Sequence, residues 1–586
     1  MKLKLYSILF LALLMAGCAN RGVGPQGGPK DSIPPIPVEY EPLDRTTNFT
    51  GKRIEITFNE YLQLDNIATN LLMSPPQQKT PEVKIYGKKL IVQFADTLRD
   101  STTYTLDFGN AVCDYTEKNP VRGFSYCFST GPTIDTLEIH GMVYGADDLN
   151  PKPGIIVGIH ENMHDSAFTK EPFLRIAKTD SAGHFRIGNV RPGTYRLYAV
   201  DDVSRDYRFT PGEAIAFADE TVSAQAPDTT QLSDSTAEHA HEHTQLFLFK
   251  MQQKRLYLQR TLRDKRHLIR VLFSSAPDSL PQIRALNDSL NYHIRPSRNG
   301  DTLAIWLLDS ASIKQDTLFF ETTYRRTDSV FNYEWAVDTI RAVWRAPRLT
   351  AKAQEAQDRA NRNRRLEISS NARKGFELYD TLRINCTTPL ATIETASIRL
   401  FERVDTLLMP VAYTLMPYDT LPMELKLLTE WKPGAKYELQ IDSATFHDAY
   451  GISHIAGSYP FEVKKLEDYS TLRVKIAPFN PQARVQVLNN KDQVVRETAV
   501  QPDGAYFPYL KPDGYYIRMY IDEDENQCWT TGNWDTKQQP ERVYYFPNKI
   551  QTKSNWDFEE EWDYNAIEQT QAKPRELIQA AATKKK

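Results

Sequence analysis

The chain has 586 residues and a net charge of -4 at pH 7, so it lacks the strongly basic balance that nucleic-acid binding requires. Hydrophobic residues make up 41% and charged residues 25%, which is an ordinary composition for a folded, water-exposed chain. Roughly 150 residues per domain would give about four domains, whereas all-β modules of about 100 residues would give five or six. The composition therefore predicts several thin two-layer cores rather than one large core.

The amino terminus has the pattern of an export signal. A positively charged start precedes an apolar run at 5–15, which is too short to span a bilayer, and this predicts a signal peptide over 1–17. The run ends in Leu-Met-Ala-Gly-Cys18, which resembles the lipobox of bacterial lipoproteins. The resemblance implies that the chain is cut before Cys18 and that this thiol takes a diacylglycerol. An ordinary cleaved signal peptide with a chance cysteine is the alternative.

The anchor implies a location. Each buried lipid methylene contributes about 0.8 kcal/mol, so two or three chains would tether the protein to a membrane permanently. Ala19 and Asn20 follow the cysteine, and the absence of aspartate there resembles the sorting signal for the outer membrane. Gly and Pro make 18–36 a flexible stalk. We expect lipid anchoring to the outer membrane, with the cell-surface and periplasmic faces both left open.

Short strands begin after the stalk. Arg53–Phe58 alternates apolar and polar residues with a period of two, and further short strands follow between turn signals. The run Ile-Thr-Phe-Asn-Glu60 and the closing Phe-Ser-Thr-Gly131 resemble the bacterial Ig-like domain of S-layer proteins and envelope lipoproteins. The resemblance covers 37–131 and implies a β-sandwich.

A second pattern occurs twice. The stretch Asp-Ser-Ala-Gly-His-Phe185 leads to a Pro192-Gly193 turn that opens another strand, and both features recur near Gly504 and Gly514. These residues resemble the prealbumin-like fold of carboxypeptidase regulatory domains. Each copy then runs into an acidic loop. The Ig-like pattern also recurs more weakly, so the chain resembles two Ig-plus-prealbumin pairs.

These patterns predict an all-β chain of tandem β-sandwich domains. The expected divisions are a signal peptide at 1–17, the lipidated cysteine and stalk at 18–36, an Ig-like domain at 37–131, a prealbumin-like domain at 132–250 with a disordered insert at 214–244, a β-sandwich at 251–348, a polar helix or linker at 349–366, an Ig-like domain at 367–466, a prealbumin-like domain at 467–564 and a flexible tail at 565–586.

One acidic loop is a candidate metal site. Asp522, Asp524 and Asn526 place oxygen atoms at alternate positions, which resembles the opening of a calcium loop. The glycine expected at the sixth position is Gln527, and the glutamate expected at the twelfth is Asn533. A solvated acidic turn is the alternative. No cofactor is expected.

The sequence contains one pattern typical of catalysis. His160 to His164 matches His-Glu-x-x-His, in which two histidines on a helix bind zinc. An apolar strand leads directly into it, and residues four apart on a strand lie about 13 Å apart. That separation is too large for two ligands of one zinc ion. We therefore expect no catalytic residue and no enzyme, with a zinc metallopeptidase as an alternative.

The cysteines leave a choice open. Cys113 and Cys127 flank a loop, each beside a strand-like run, and a disulfide between them would be compatible with an oxidising compartment. Two buried thiols are the other interpretation.

The leading functional hypothesis is a non-enzymatic scaffold that acts as an accessory subunit of an outer-membrane protein complex. Its expected partners are the membrane, through the lipid, and an outer-membrane protein. The alternative is a surface glycan-binding lipoprotein, because four tryptophans cluster near the carboxyl terminus and exposed aromatics can stack on a ligand. Packing in the last core would explain them equally. The cluster comprises Trp529, Trp534, Trp556 and Trp562.

Overall fold

The chain folds as a series of β-structures, which confirms the predicted all-β class. A computed structural model describes residues 31–227, 244–251, 255–286, 290–328, 332–346, 350–362, 364–417 and 420–578. The expected signal peptide and Cys18 lie outside the described residues. The chain divides into two compact units, Met1–Val143 with Pro151–Leu248, and Tyr144–Asn150 with Phe249–Lys586.

The first unit contains an Ig-like sandwich followed by a second β-region, for which the sequence predicts a prealbumin-like fold. The Ig-like strands are β1 Pro37–Glu41, β2 Arg53–Phe58, β3 Leu62–Leu64, β4 Leu72–Ser74, β5 Glu82–Tyr86, β6 Lys89–Gln93, β7 Thr103–Gly109, β8 Val112–Asp114 and β9 Phe124–Ser129. They form sheets in the orders β1-β2-β6-β5, β4-β7-β9 and β3-β8. Strand β2 shows why they pack: Ile54, Ile56 and Phe58 are buried on one face, because alternate side chains of a strand share a face.

This second β-region forms one eight-stranded sheet around its own core. Its strands are β10 Leu137–Gly145, β11 Ile156–His160, β12 Arg175–Lys178, β13 His184–Val190, β14 Thr194–Val200, β15 Ala214–Phe217, β16 Val222–Ser223 and β17 Thr244–Lys250. Their order is β12-β11-β14-β15-β17-β10-β13, and β16 pairs with β14.

The described residues of the second unit form three further cores. The first has strands β18 Leu258–Lys265, β19 Leu268–Phe273, β20 Gln282–Ala285, β21 Tyr292–Pro296, β22 Thr302–Leu307, β23 Thr317–Thr327 and β24 Tyr333–Val343. The second has strands β25 Ile368–Ser370, β26 Lys374–Phe376, β27 Leu382–Cys386, β28 Leu390–Ile393, β29 Ile398–Val404, β30 Leu407–Pro410, β31 Thr414–Pro417, β32 Glu424–Leu428, β33 Lys436–Ile441, β34 Phe446–Asp448 and β35 Gly457–Val463. The third has strands β36 Ser470–Ala477, β37 Ala483–Leu488, β38 Val494–Ala499, β39 Ala505–Leu510, β40 Gly514–Ile521, β41 Val543–Tyr545, β42 Ile550–Gln551 and β43 Asp557–Asp563.

Helices are few and short. Within the described residues they include Ile67–Asn70, Ala167–Lys170, Ser310–Lys314 and Ala351–Arg362, with a further helical turn at 575–578 and short 3-10 turns at Thr395–Ser397 and Leu466–Asp468. The helix Ala351–Arg362 lies in the stretch where a polar helix or linker was predicted. Within the described part of the chain, no helix combines the length and apolar character needed to cross a bilayer.

Two segments expected to lack structure are ordered where they are described. Ala214–Phe217 forms β15, and Ile215 and Ala216 are fully buried, so the predicted insert begins too early. The apolar run is only four residues long, and the polar composition after it obscured the strand. Residues 228–243 of that insert lie outside the described residues. In the predicted flexible tail, Ala572 and Leu577 are buried, which is a correction over the part that reaches residue 578.

A buried arginine connects the Ig-like domain of the first unit to the sheet that follows it. Arg175 of β12 is 4% exposed, and its guanidinium donates to the Thr103 carbonyl at 2.5 Å and the Ser74 carbonyl at 3.3 Å, both in the Ig-like domain. It also lies 3.4 Å from the Asp135 carboxylate. Burial lowers the pKa of Arg175 to about 10, which still leaves it charged at neutral pH.

A buried glutamate makes a comparable connection between two cores of the second unit. Glu377, which directly follows β26, is 5% exposed and accepts a hydrogen bond from the Tyr469 hydroxyl at 2.7 Å. The ammonium groups of Lys464 and Lys511 each lie 2.9 Å from the same carboxylate. Tyr469 directly precedes β36 and Lys511 directly follows β39, two strands of the last core, so this carboxylate bonds across the junction.

The Glu377 junction should weaken in acid. Burial raises the pKa of Glu377, but hydrogen bonds from Lys464, Lys511 and Tyr469 together outweigh it and hold the pKa below the usual value of 4.5. The stabilisation is therefore complete above about pH 4.5 and is lost as the pH falls through the lower folded pKa. We expect Glu377→Gln to reduce stability by about 2 kcal/mol at pH 7 and by progressively less as the pH falls below about 4.5. Urea unfolding at pH 7 and at a series of lower pH values measures this, with the exposed Glu430→Gln as control; a loss that stays equal across the series would contradict it.

Candidate functional site

The acidic loop at 202–213 of the first unit is built on two carboxylates. Asp202 accepts hydrogen bonds from the backbone N–H groups of Asp206 at 3.3 Å and Tyr207 at 3.0 Å. Glu213, which is 8% exposed, accepts from the N–H groups of Val203 and Thr210, both at 3.0 Å. The two side chains thus fix the path of 202–213 from inside the loop.

The loop of the last region repeats this arrangement. Asp522 accepts from the N–H groups of Asn526 and Gln527, both at 3.0 Å. Glu541 accepts from those of Glu523 and Thr530, both at 2.8 Å. From the aspartate onwards, the four donors have the same spacing along the chain in both loops.

Backbone conformation confirms that the loops are equivalent. Arg205 and Glu525 occupy the same position and have φ values of 59° and 57°. Tyr207 and Gln527 also correspond, with φ values of 57° and 66°. Left-handed conformations are uncommon for residues other than glycine, so two matched pairs indicate one loop design used twice.

The predicted calcium ligands are only partly brought together. Oxygen atoms of Asp522, Asp524 and Glu541 lie within 4.8 Å of one another. Asn526 lies beside them, because its amide nitrogen donates to Asp524 at 2.9 Å, while its side-chain oxygen accepts from the N–H of Cys528 at 2.6 Å. Glu541 joins the two aspartates in this cluster. It was missed because it lies far along the chain, although both buried glutamates follow a nearby proline, in Pro211-Gly-Glu213 and Pro540-Glu541.

The charges of this cluster are only partly balanced. Burial raises the pKa of Glu541, and the charges of Asp524 and Asp522 raise it further. Three carboxylates are the hard oxygen donors that a divalent cation takes. However, Asp522 and Glu541 already accept backbone hydrogen bonds, and the first loop has Ser204 where this one has Asp524. The repeated Asp–Glu pair is therefore a loop anchor.

The anchor role predicts unequal effects within the cluster. Asp522→Ala should destabilise the last region by about 2–3 kcal/mol, because it leaves two N–H groups near a buried position without their charged acceptor. Asp524→Ala, at an exposed position, should change stability far less, because solvent can replace its contacts. Urea unfolding in a chelator measures both, and equal losses would contradict the assignment.

The zinc-protease pattern is divided between two environments. His160 ends strand β11 as predicted, is 2% exposed, and packs against the rings of Phe173 and Tyr198, with centroids 5.1 and 5.9 Å away. Burial lowers its pKa to about 4, so it is neutral at pH 7. His164 lies beyond the strand on an exposed loop. Among the described residues, neither histidine belongs to a group of three or more closely spaced metal-ligand side chains.

The disulfide that the sequence left open is not formed. Cys113 of β8 and Cys127 of β9 are both buried free thiols. Their strands belong to different sheets, and the Cys113 thiol donates to the Gln63 carbonyl at 3.6 Å. Burial raises the pKa of both thiols. The interpretation of two buried thiols is the one that this structure has.

The four tryptophans lie in different environments, and Trp562 belongs to the last core. Trp534 and Trp562 are 6% and 4% exposed. Trp529 donates from its indole N–H to the Glu541 carbonyl at 3.0 Å, while Trp556 is 57% exposed. The four rings therefore do not form one exposed stacking surface.

A cleft of about 640 Å³ lies in the first unit. Ig-like loops at 76–78 and 96–99 form one side, and Pro172 with 205–208 forms the other. The second side includes part of the loop that Asp202 and Glu213 anchor. Sequence reasoning missed this site because its walls come from loops far apart in the chain, none of which has a motif of its own.

The cleft wall carries both signs of charge. The Arg208 guanidinium donates to Asp206 at 2.8 Å, and Arg205 donates to the Ala68 carbonyl at 3.2 Å. Asp96 accepts from the backbone N–H of Lys79 at 2.7 Å. The structure gives the side chains of Gln78 and Arg99 no hydrogen-bond partner among the described residues, so these groups remain available to a ligand.

In comparisons with known proteins, only part of the chain matches a family. No curated protein matches it. Among solved structures, the N-terminal part of the bacterial S-layer protein SbsC is 9% identical, with a TM-score of 0.17 over 29% of this chain and 44% of that one. The major pilin subunit of Bacillus cereus is 8% identical, with a TM-score of 0.14 over 74% and 99% of the two chains. Scores this low carry no argument. Residues 31–130 match the family described as bacterial Ig-like domain.

Proposed function

We propose that the chain is a lipid-anchored, non-enzymatic scaffold of the bacterial outer membrane that acts as an accessory subunit of a protein complex there. The observation that carries the proposal is the buried charge at each junction between an Ig-like and a prealbumin-like region. Arg175 and Glu377 each bond to groups on both sides of their junction. Both charges are removed from solvent.

Such junctions support a spacer role. Domains within one chain usually move relative to each other unless the interface fixes them. A buried charge favours one arrangement, because separation of the domains would leave it without its partners. Each Ig-plus-prealbumin pair then presents its surface loops in a fixed geometry, which is what a subunit that positions a partner requires.

The anchor is tested by metabolic labelling. We expect radioactive palmitate to label the chain, and Cys18→Ser to abolish the label and release the protein from the membrane. Cys528→Ser is the matched control, because Cys528 is an exposed free thiol within the described residues. Label retained by Cys18→Ser would contradict lipid anchoring at this residue.

The partner is tested by cross-linking in intact cells and affinity purification in detergent. We expect one outer-membrane protein to be recovered in a fixed ratio to the chain. Recovery of the chain alone, after cross-linking that captures a known complex in the same cells, would contradict the accessory-subunit role.

A further inference from the structure

We propose that the cleft of the first unit is a saccharide-binding site, a property beyond the scaffold role and independent of the anchor and partner. Binding sites are concave, occur preferentially where domains meet, and combine apolar surface with a few polar groups. This cleft has a volume of about 640 Å³ and walls from two adjoining domains.

The mixture of charges indicates the class of ligand. Arg99, Arg205 and Arg208 line the cleft together with Asp96 and Asp206. A strongly anionic ligand would meet two carboxylates, and a cationic one would meet three guanidinium groups. A hydroxyl group both donates and accepts hydrogen bonds, so it can use either kind of side chain. A ligand dense in hydroxyl groups fits this wall best.

The remaining wall residues fit the apolar faces of sugar rings. Pro76, Pro172 and Tyr207 add apolar surface beside the charged groups. Tyr207 is held in place because its backbone N–H donates to Asp202. Preorganised groups reduce the entropy that a ligand must lose on binding.

An extended peptide fits the cleft less well. Peptides that join a protein through backbone hydrogen bonds add to an exposed strand edge. The cleft residues 76–78, 96–99, 172 and 205–208 all lie in loops, outside the strands. No strand edge is therefore presented at this wall, and recognition must use side chains.

The equivalent loop in the last region supports a binding role for the side chains that the first loop presents to the cleft. The same backbone design carries Arg205, Tyr207 and Arg208 in the first unit, and Glu525, Gln527 and Cys528 in the second. The anchoring Asp–Glu pair is kept while the presented side chains differ. This is the pattern expected when a rigid loop is used to display different binding groups.

Binding can be measured with the full chain in detergent on an array of malto-, cello- and chito-oligosaccharides and branched glycans, with a polyglutamate peptide as an additional probe. We expect at least one oligosaccharide to bind, and the double substitution Gln78→Ala with Arg99→Ala to weaken that binding by tenfold or more. The matched control is Gln282→Ala with Arg284→Ala, two exposed residues of the same types on β20.

The control should bind as the unmodified chain does. Three results would overturn the proposal: no oligosaccharide bound, binding unaffected by the cleft substitutions, or polyglutamate bound in preference to the sugars. Circular dichroism of both double variants verifies that they are folded. Loss of the lipid label or of the protein partner would leave this measurement unaffected, so the two proposals fail separately.

Discussion

Arg175→Met is expected to destabilise the first unit by about 3 kcal/mol. Removal of one partner from a buried charged network typically costs 3–5 kcal/mol. The lower end applies because Asp135 keeps a hydrogen bond from the Thr103 hydroxyl at 2.9 Å and a contact with Arg191 at 3.5 Å. The carbonyl groups of Ser74 and Thr103 would each lose a charged donor.

The readout must be local because the chain contains several domains. Hydrogen exchange followed by mass spectrometry should show faster exchange in β4 and β12, which Arg175 joins, and unchanged exchange in the second unit. Arg53→Met is the control: Arg53 is 54% exposed and pairs with Glu55 at the surface, where such pairs contribute about 0–1 kcal/mol. Equal exchange in β4 for both variants would contradict the role of Arg175.

Strands could be predicted because their signal is local. Arg53–Phe58 has the same limits in the sequence pattern and in the structure, since alternation along a few residues is enough to identify a half-buried strand. Gly504 and its neighbours likewise identified the start of β39. The Ig-like resemblance at 37–131 agrees closely with the family match at 31–130.

The functional features could not be predicted because they depend on long-range contacts. Asp522 and Asp524 were found from spacing, but Glu541 joins them only in the folded chain. The cleft is formed by loops near Arg99 and Arg205, which lie far apart in the sequence and meet only in the folded chain. Arg175 gave no usable signal, because β12 reads Arg-Ile-Ala-Lys with a charge at each end, and only the fold shows that Arg175 is buried while Lys178 is exposed.

The packing of the carboxyl-terminal segment also could not be predicted from its composition. Residues after 564 are polar, which predicted a flexible tail, yet Lys573 has a fully buried side chain. Its ammonium group donates to Asp492 at 2.7 Å and to the Asp148 carbonyl at 2.6 Å, and lies 4.6 Å from the centre of the Tyr545 ring. Burial lowers the pKa of Lys573, while Asp492 opposes that effect.

Lys573→Ala is expected to destabilise the second unit by about 4 kcal/mol, because it removes one side of a buried pair and leaves a cavity. Lys553→Ala is the control. Lys553 lies over the exposed Trp556 ring at 5.2 Å, where a cation–π contact contributes about 0.5–1 kcal/mol. Lys573→Ala should lower the temperature of thermal unfolding and make cleavage after residue 564 faster in limited proteolysis, whereas Lys553→Ala should change both much less.

A truncation separates the two descriptions of this segment. A chain that ends at residue 564 loses Lys573, and also Leu577, which is 1% exposed. Removal of a flexible tail would leave the free energy of unfolding unchanged. Removal of a packed segment should lower it by at least as much as Lys573→Ala does. A truncated chain that unfolds with the unmodified one would show that the buried lysine does not contribute to the fold.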